Sequence, residues 1–158
     1  MKVGVLSDTH GLLRPEVISI LEGCDYILHA GDFDREAVLE RLEDIAPVYA
    51  VRGNNDFGRW ASHLPRQLTV TLGGVQFFMT HNKMDVSRKL GDTQVVVFGH
   101  SHQYFQQTAD GRLWFNPGSC GYPRFGGGLS MAVMFLSEGQ VDRIEKIVLQ
   151  EEKKRGWS

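Results

Sequence analysis

Residues 3–10 have the sequence VGVLSDTH, in which an apolar, strand-forming run ends in an aspartate and a histidine. Similar runs at residues 26–32, YILHAGD, and 48–54, VYAVRGN, end in an aspartate and an asparagine. Helical periodicity separates the three runs, and this alternation is typical of a parallel sheet covered by helices. Since ligand sites in such sheets lie at the carboxyl ends of the strands, we expect these polar residues to meet at one edge.

The remaining pattern adds a second, largely antiparallel part. Gly73-Gly74 predicts a hairpin, and the unbroken apolar run 95–98 indicates a strand buried on both faces. Helices are predicted from Pro15 to Gly23 and from the N-cap candidate Asp34 to about Asp44. Strands are predicted at residues 2–7, 26–30, 48–51, 68–72, 75–80, 95–98, 104–107, 113–115, 130–136 and 141–149. Together they predict an α/β (α+β) fold, a two-sheet β-sandwich flanked by helices.

Length and composition limit the architecture and the class of partner. With 158 residues, of which 42% are hydrophobic, the chain predicts one domain over residues 1–158, with a tail that frays from about residue 151. The net charge of −2 provides no broad basic field, and basic residues cluster only at Lys153, Lys154 and Arg155. General nucleic-acid binding is therefore not expected.

Neither a membrane span nor a secretory signal is visible in the sequence. No apolar run approaches the ~20 residues of a spanning helix, and Met1-Lys2 leads directly into the first predicted strand. The two cysteines, Cys24 and Cys120, do not indicate a disulfide framework. We therefore expect a cytoplasmic protein without membrane association, and whether either thiol is reactive stays open.

Seven residues that can bind a metal follow successive predicted strands. They are Asp8, His10, Asp32, Asn54, His81, His100 and His102. Oxygen and imidazole ligands suit divalent ions, and two such ions can hold a phosphoryl group between them. A carboxylate such as Asp32 can bridge two ions, whereas an imidazole cannot. Each residue alone is more often a cap, turn or core residue, so the prediction depends on their convergence.

Five short motifs contain these residues and make a family resemblance visible. They are Asp8-Thr9-His10-Gly11, His29-Ala30-Gly31-Asp32, Gly53-Asn54-Asn55-Asp56, Thr80-His81 and Gly99-His100-Ser101-His102. In this order they resemble the calcineurin-like metallophosphoesterase superfamily. Asn116-Pro117-Gly118-Ser119, followed by Pro123-Arg124, is similar to its small bacterial and archaeal phosphodiesterase branch, which shares its fold with the metallophosphoesterase-like retromer subunit.

The resemblance implies a metallophosphoesterase-like sandwich with a dinuclear site. Two divalent ions are implied, most commonly Mn²⁺, with Mg²⁺, Ni²⁺, Fe²⁺ or Zn²⁺ as alternatives. By position, the first ion would be held by Asp8, His10, Asp32 and His102, and the second by Asp32, Asn54, His81 and His100. The implied nucleophile is a metal-bound hydroxide that bridges the two ions and attacks a small phosphodiester, while Asn54 stabilises the charge of the transition state.

The motif around residue 54 departs from the superfamily pattern. Asn55 stands where many relatives carry a histidine thought to protonate the leaving group, so the leaving-group acid stays open. Asp56 is expected to orient Asn54 or the Gly53 loop, although a turn-stabilising aspartate is an equal alternative. Three arginines are candidates to reach a phosphate, with solvated side chains as the alternative: Arg14, Arg59 and Arg124.

Two other functional hypotheses stay open beside the phosphodiesterase. One is a scaffold of the same fold that has lost catalysis and binds a protein partner, and the other is a phosphomonoesterase or nuclease with the same metal site. The intact set of seven ligand positions favours an enzyme over a scaffold. A homodimer or higher homo-oligomer, formed through an exposed strand edge or the strands after residue 103, is also left open.

Overall fold

The computed structural model of the protein describes residues 1–123 and 128–150. Three sequence-based predictions fall outside these residues: the role of Arg124, the fraying tail and the basic cluster Lys153–Arg155. Ten strands are present, namely β1 Lys2–Leu6, β2 Tyr26–His29, β3 Val48–Ala50, β4 Gln67–Leu72, β5 Val75–Thr80, β6 Val95–Val97, β7 Phe105–Ala109, β8 Arg112–Asn116, β9 Leu129–Ser137 and β10 Gln140–Leu149.

The strands form two five-stranded sheets. The first has the order β10-β9-β1-β2-β3, in which β1, β2 and β3 run parallel as the apolar runs predicted. The second has the order β4-β5-β6-β8-β7, with β4 and β5 joined as an antiparallel hairpin at Gly73-Gly74. Strand β6 lies between two parallel neighbours and is fully buried, as its apolar run indicated.

Three helices accompany the sheets, α1 at Pro15–Leu21, α2 at Glu36–Ile45 and α3 at Arg59–Ser62, together with a 3₁₀ turn at Lys83–Asp85. The predicted N-cap role of Asp34 is wrong, because Arg35 occupies that position and no side chain caps the helix. Helix α3 was not predicted, since a single turn has too few residues to show periodicity.

One apolar core lies between the two sheets and a second lies under the helices. Val5 of β1, Phe77 of β5 and Phe115 of β8 belong to the inter-sheet core and are fully buried. Leu21 of α1 and Leu42 of α2 pack in the other core, on the outer face of the first sheet. The predicted two-sheet sandwich flanked by helices is therefore confirmed.

Most predicted strand boundaries agree with the structure within one or two residues, and β5 agrees at both ends. Over residues 1–123 and 128–150, no helix has the length and apolar character needed to cross a bilayer.

Candidate metal centre

The candidate ligands lie in loops that directly follow strands of both sheets. Asp8 and His10 follow β1, and Asp32 follows β2. The loops after these two parallel strands are hydrogen-bonded to each other, because Asp8 N donates to Gly31 O at 2.9 Å and His10 N donates to Asp32 O at 3.0 Å. The backbone thus continues the pairing of β1 with β2 and holds both carboxylates at one edge.

Asp8, His10 and His102 form one compact group of donor atoms. Asp8 Oδ1 lies 3.6 Å from His10 Nε2 and 3.4 Å from His102 Nε2, and the two imidazole nitrogens are 3.2 Å apart. Two donors on one ion, at bond lengths of ~2.1 Å, stand roughly 3.0–3.5 Å apart in octahedral or tetrahedral coordination. The observed spacings are close to that range.

Asp8, Asp32 and His81 form a second group that shares Asp8 with the first. His81 Nε2 is 3.3 Å from Asp32 Oδ2 and 3.9 Å from Asp8 Oδ1. Asp32 Oδ2 is also 3.8 Å from His10 Nε2. Asp32 Oδ2 therefore lies between a histidine of each group, as a bridging carboxylate would. Asp8 is the residue that both groups share, and its Oδ1 lies 3.4–3.9 Å from His10, His81 and His102.

Asn54 and His100 lie on the exposed side of the second group. Asn54 Oδ1 is 3.3 Å from His100 Nδ1, and the imidazole rings of His81 and His100 meet edge to face with centroids 5.2 Å apart. Within the described part of the chain, neither compact donor group includes His100. The structure therefore brings all seven predicted residues together, with five in close donor groups and these two at the opening.

Several hydrogen bonds fix the direction in which the ligands point. His81 Nδ1 lies 2.7 Å from Ala30 O, which can only accept, so the neutral ring presents Nε2 to the cluster without a proton. His10 Nδ1 lies 2.9 Å from Asp34 Oδ2, which orients its Nε2 in the same way. No local pattern indicates this role of Asp34, because its partner His10 is 24 residues away along the chain.

Neighbouring hydrogen-bond donors hold both carboxylates in place. Asp8 Oδ2 accepts hydrogen bonds from Ser7 Oγ at 2.7 Å and from His100 N at 3.1 Å. Asp32 accepts from the backbone N–H of Asn55 at 2.9 Å and from its side-chain amide at 3.0 Å. The side chain of Asn55 thus contacts a candidate ligand, a role that its position in the motif did not reveal.

Asp56 organises the backbone around Asp32. Its Oδ2 accepts hydrogen bonds from Asp32 N at 3.0 Å and Gly53 N at 2.8 Å, and its Oδ1 accepts one from Asp34 N at 2.9 Å. These three bonds tie the loop after β3 to the loop after β2, so that Asp56 acts on the Gly53 loop and on the Asp32 loop together.

The Asn116–Ser119 segment braces the loops of the site. Asn116 Nδ2 donates to Gly99 O at 3.1 Å, just before His100, and Ser119 Oγ lies 3.1 Å from the carbonyl oxygen of Asp8. The guanidinium of Arg14 donates to Gly121 O at 2.8 Å, and so binds a loop.

Five of the seven candidate ligands have left-handed backbone conformations. Positive φ angles occur at Asp8 (55°), His10 (49°), Asp32 (65°), His100 (71°) and His102 (62°). Such angles are uncommon for residues other than glycine and persist where surrounding contacts impose them, often at functional sites. Backbone hydrogen bonds between the loops after β1 and β2 hold Asp8, His10 and Asp32, and the bond from the backbone N–H of His100 to Asp8 Oδ2 holds His100.

The electrostatics of the cluster favour a bound cation. Asp8 and Asp32 are buried, and in the described part of the chain every ion pair of either carboxylate is with a histidine. Asp8 and then Asp34 raise the pKa of His10 to about 9, against the effect of burial. Burial alone would raise the pKa of Asp32, but His81 and Asn55 outweigh it and hold this pKa below its usual range.

Two buried polar atoms of the cluster lack a hydrogen bond among the described residues. They are Asp8 Oδ1 and His81 Nε2, both of which can act as electron-pair donors. His81 Nε2 is 3.3 Å from Asp32 Oδ2, but the contact lacks hydrogen-bond geometry. Buried polar atoms are ordinarily satisfied, and carboxylates deep in a protein are paired or bind metals. The donor set therefore fits divalent metal ions.

Comparison with known proteins identifies the family of this chain. Residues 1–139 match the calcineurin-like phosphoesterase superfamily domain. A phosphodiesterase from Methanocaldococcus jannaschii is 31% identical over 141 residues, which cover 76% of this chain and 84% of the relative. Its similarity and that of several probable metallophosphoesterases support a phosphoesterase function.

Comparison with solved structures supports the two-sheet fold described above. A novel archaeal phosphodiesterase superposes with a TM-score of 0.79 and 28% identity, covering 94% of this chain and 100% of its own. Wild-type Vps29 of Entamoeba histolytica, solved in complex with Zn²⁺, gives a TM-score of 0.72 at 19% identity and covers 94% of this chain and 99% of its own. At that identity the likeness to Vps29 concerns the fold alone. This chain belongs to the calcineurin-like phosphoesterase superfamily.

Proposed function

We propose that this protein is a metal-dependent phosphodiesterase that hydrolyses a small phosphodiester. The observation that carries the proposal is the pair of buried atoms without hydrogen bonds, Asp8 Oδ1 and His81 Nε2, which face the shared space between two donor groups. In a stable fold, buried polar atoms without hydrogen bonds lie close together only where a further binding partner interacts with them. A divalent cation is the partner that suits a carboxylate oxygen and an imidazole nitrogen at once.

The proposed ligand sets are those that the family resemblance implied. Asp8, His10, Asp32 and His102 would hold the first ion, and Asp32, Asn54, His81 and His100 the second. The short distances within the two donor groups support five of these assignments. Asn54 and His100 complete the set from the exposed side. Mn²⁺ is the proposed ion, with Mg²⁺, Ni²⁺, Fe²⁺ and Zn²⁺ as alternatives.

In the proposed reaction the chain contributes orientation and hydrogen bonds. When bound, divalent ions lower the pKa of water and withdraw electrons from a phosphoryl oxygen. Asp32 and Asp8 bring the negative charge that holds the ions, and their orientation is set by Asn55, Ser7 and the His100 amide. The side-chain amide of Asn54, at the open side, can donate to a phosphoryl oxygen as charge develops there.

The test is hydrolysis of bis- and mono-(p-nitrophenyl) phosphate by chelator-treated protein, with Mn²⁺, Mg²⁺, Zn²⁺ and Ni²⁺ added back separately. We expect metal-restored turnover that is faster for the diester than for the monoester. Faster monoester turnover would favour the phosphomonoesterase alternative. Binding of two ions without turnover of either compound would contradict the proposed activity and favour the scaffold that binds a protein partner.

The contact between Asp34 and His10 gives a separate prediction about metal affinity. Asp34→Asn keeps the shape of the side chain but removes the carboxylate that orients the imidazole, so we expect metal affinity to fall by about 10–100-fold. Isothermal titration with Mn²⁺ measures this change. Asp44→Asn, on the exposed face of α2, is the matched control and is expected to bind like the unmodified protein. Equal affinities for both variants would contradict the role of Asp34.

Asn55 gives a prediction about leaving groups. Asn55→His introduces a group that can donate a proton, so we expect a larger gain for diesters with poor leaving groups than for those with good ones. The backbone N–H of residue 55 still binds Asp32 in this variant, but the side-chain hydrogen bond is lost. Asn55→Ala loses the same bond without adding an acid and is the control. Rates over aryl diesters with leaving groups of graded pKa decide the question, and an equal change across the series would exclude an acid role for this position.

A further inference from the structure

A cavity of about 420 Å³ opens beside Asn54, His81 and His100. We propose that it binds a second anionic group of the substrate, a phosphate on the arm that does not react. The preferred substrates would then be phosphodiesters that carry an additional phosphate. This inference rests on the proposed function and adds to it the chemical class of the substrate.

The lining of the cavity favours an anion over an aryl group or a nucleobase. All nine described residues that line it are polar or charged, and they include the guanidinium groups of Arg52 and Arg66. Asp85 is the one acidic residue among them. None of these nine residues is a Phe, Tyr or Trp on which a ring could stack. Two guanidinium groups, in contrast, can bind phosphate through directed, charge-assisted hydrogen bonds.

A neighbouring cavity of about 200 Å³ has a different character. It shares Asn82 and His100 with the first, but its other walls include Phe98, Tyr104 and Phe105. The two cavities therefore adjoin the candidate ligand His100 and differ in polarity. The adjoining aromatic-lined cavity suits an apolar group of a substrate. The polar cavity is therefore available for a charged group.

Backbone contacts bring the two arginines to the same cavity. Arg52 N donates to Pro65 O at 2.8 Å, which places residue 52 beside the residue before Arg66. Arg52 Nε donates to Asp56 O at 2.9 Å, and this hydrogen bond holds the guanidinium group through its Nε atom. The position of Arg52 thus depends on the same Asp56 segment that organises the loops around Asp32.

Carboxylates do not neutralise these arginines. In the described ranges, every ion pair within 4.0 Å involves a histidine, so neither Arg52 nor Arg66 is paired with an acidic side chain. Arg66 is exposed and forms no hydrogen bond with the described residues through its side chain. In a chain with a net charge of −2, two such cations in one cavity form a local positive site.

Hydrogen bonds also fix another part of the cavity lining. Gln67 Nε2 donates to Asp85 O at 2.8 Å, and Asn82 Oδ1 accepts from Met84 N at 3.0 Å. These bonds hold the 3₁₀ turn against the start of β4. The volume lies within the ~300–1,000 Å³ typical of small-molecule sites, and a preformed wall lowers the cost of ordering on binding.

The experiment compares thymidylyl-thymidine with its 5′-phosphorylated form. With Mn²⁺, we expect the unmodified protein to cleave the diester bond of the phosphorylated compound with about tenfold higher kcat/KM, because it gains charge-assisted hydrogen bonds. Arg66→Gln should remove most of this preference through KM, since the proposed contact is with the arm that does not react. Arg41→Gln, on the exposed face of α2, removes the same charge elsewhere and should retain the preference.

Two further measurements separate this inference from the proposed function. The unmodified protein should hydrolyse bis(p-nitrophenyl) phosphate, which has no second phosphate, and absence of this turnover would contradict the phosphodiesterase itself. Equilibrium binding of both dinucleotides to chelator-treated protein tests the cavity without turnover. Tighter binding of the phosphorylated form that depends on Arg66 supports the inference. Three results would overturn the inference. They are equal binding of both dinucleotides, an equal loss of the preference in Arg66→Gln and Arg41→Gln, and release of inorganic phosphate with the diester intact.

Discussion

Replacing Asp32 with alanine is expected to lower phosphodiester turnover by about 10³-fold or more, because the contribution of bound ions to the barrier is several kcal/mol. Asp32 Oδ2 lies 3.3 Å from His81 Nε2 and 3.8 Å from His10 Nε2, so the change removes the oxygen between the two donor groups. Metal content measured on the purified variant should fall together with turnover.

Two controls make the result specific for Asp32. Asp44→Ala removes an exposed carboxylate from α2 and should retain both activity and metal. Asp32→Asn keeps the volume and one carbonyl oxygen but loses the charge, so it distinguishes a packing effect from a ligand effect. Near-normal turnover in Asp32→Ala, with the fold intact by circular dichroism, would exclude Asp32 as a bridging ligand.

Replacing Gly53 with alanine is expected to have the largest effect on stability. A Cβ atom at this position would collide with Asp32 Oδ1 and with the Asp32 backbone nitrogen, and would lie 2.8 Å from Asp32 Cγ. These atoms are held by hydrogen bonds to Asn55 and Asp56, so they cannot move away without losing those bonds. We expect a loss of about 3 kcal/mol or more in the free energy of unfolding, which corresponds to a fall in Tm of roughly 6–12 °C.

The measurement for Gly53→Ala is thermal unfolding in the presence of a chelator, so that lost metal binding does not contribute. Gly128→Ala is the matched control, because a Cβ at Gly128 meets no atom of residues 1–123 or 128–150 within 4 Å. A second scan with added Mn²⁺ should show a smaller rise in Tm for Gly53→Ala than for the control, since the collision displaces Asp32. Equal Tm values for the two variants would show that the loop after β3 can relax around the new methyl group.

The sequence predicted well what depends on residue type and spacing. The apolar runs placed β1, β5 and β6 almost correctly, and Gly73-Gly74 placed the hairpin. The order of polar residues after the strands was enough to predict which side chains would meet. Both kinds of inference rest on local patterns that survive in the folded protein.

What the sequence did not predict depends on contacts between distant loops. Asp34 has the residue type and position of a helix cap, yet its φ of 67° and its contact with His10 are set by the loop after β1. Asn55 stands where the family resemblance implied a histidine, and the motif gave no indication that its side chain binds Asp32. Arg52 and Arg66 are 14 positions apart and line one cavity, where the hydrogen bond from Arg52 N to Pro65 O holds their segments together. Tertiary hydrogen bonds decided each of these cases.

The backbone pairing of the loops after β1 and β2 also has a consequence for evolution and design. Asp8 N, His10 N and Gly11 N bind the carbonyl oxygens of Gly31, Asp32 and Phe33, and amide groups make these bonds whatever side chain each residue carries. The backbone frame of the site therefore does not depend on which side chains supply its chemistry. Ligand positions on such a frame can exchange imidazole for carboxylate, and so change metal preference, while the peptide geometry that presents them is inherited unchanged.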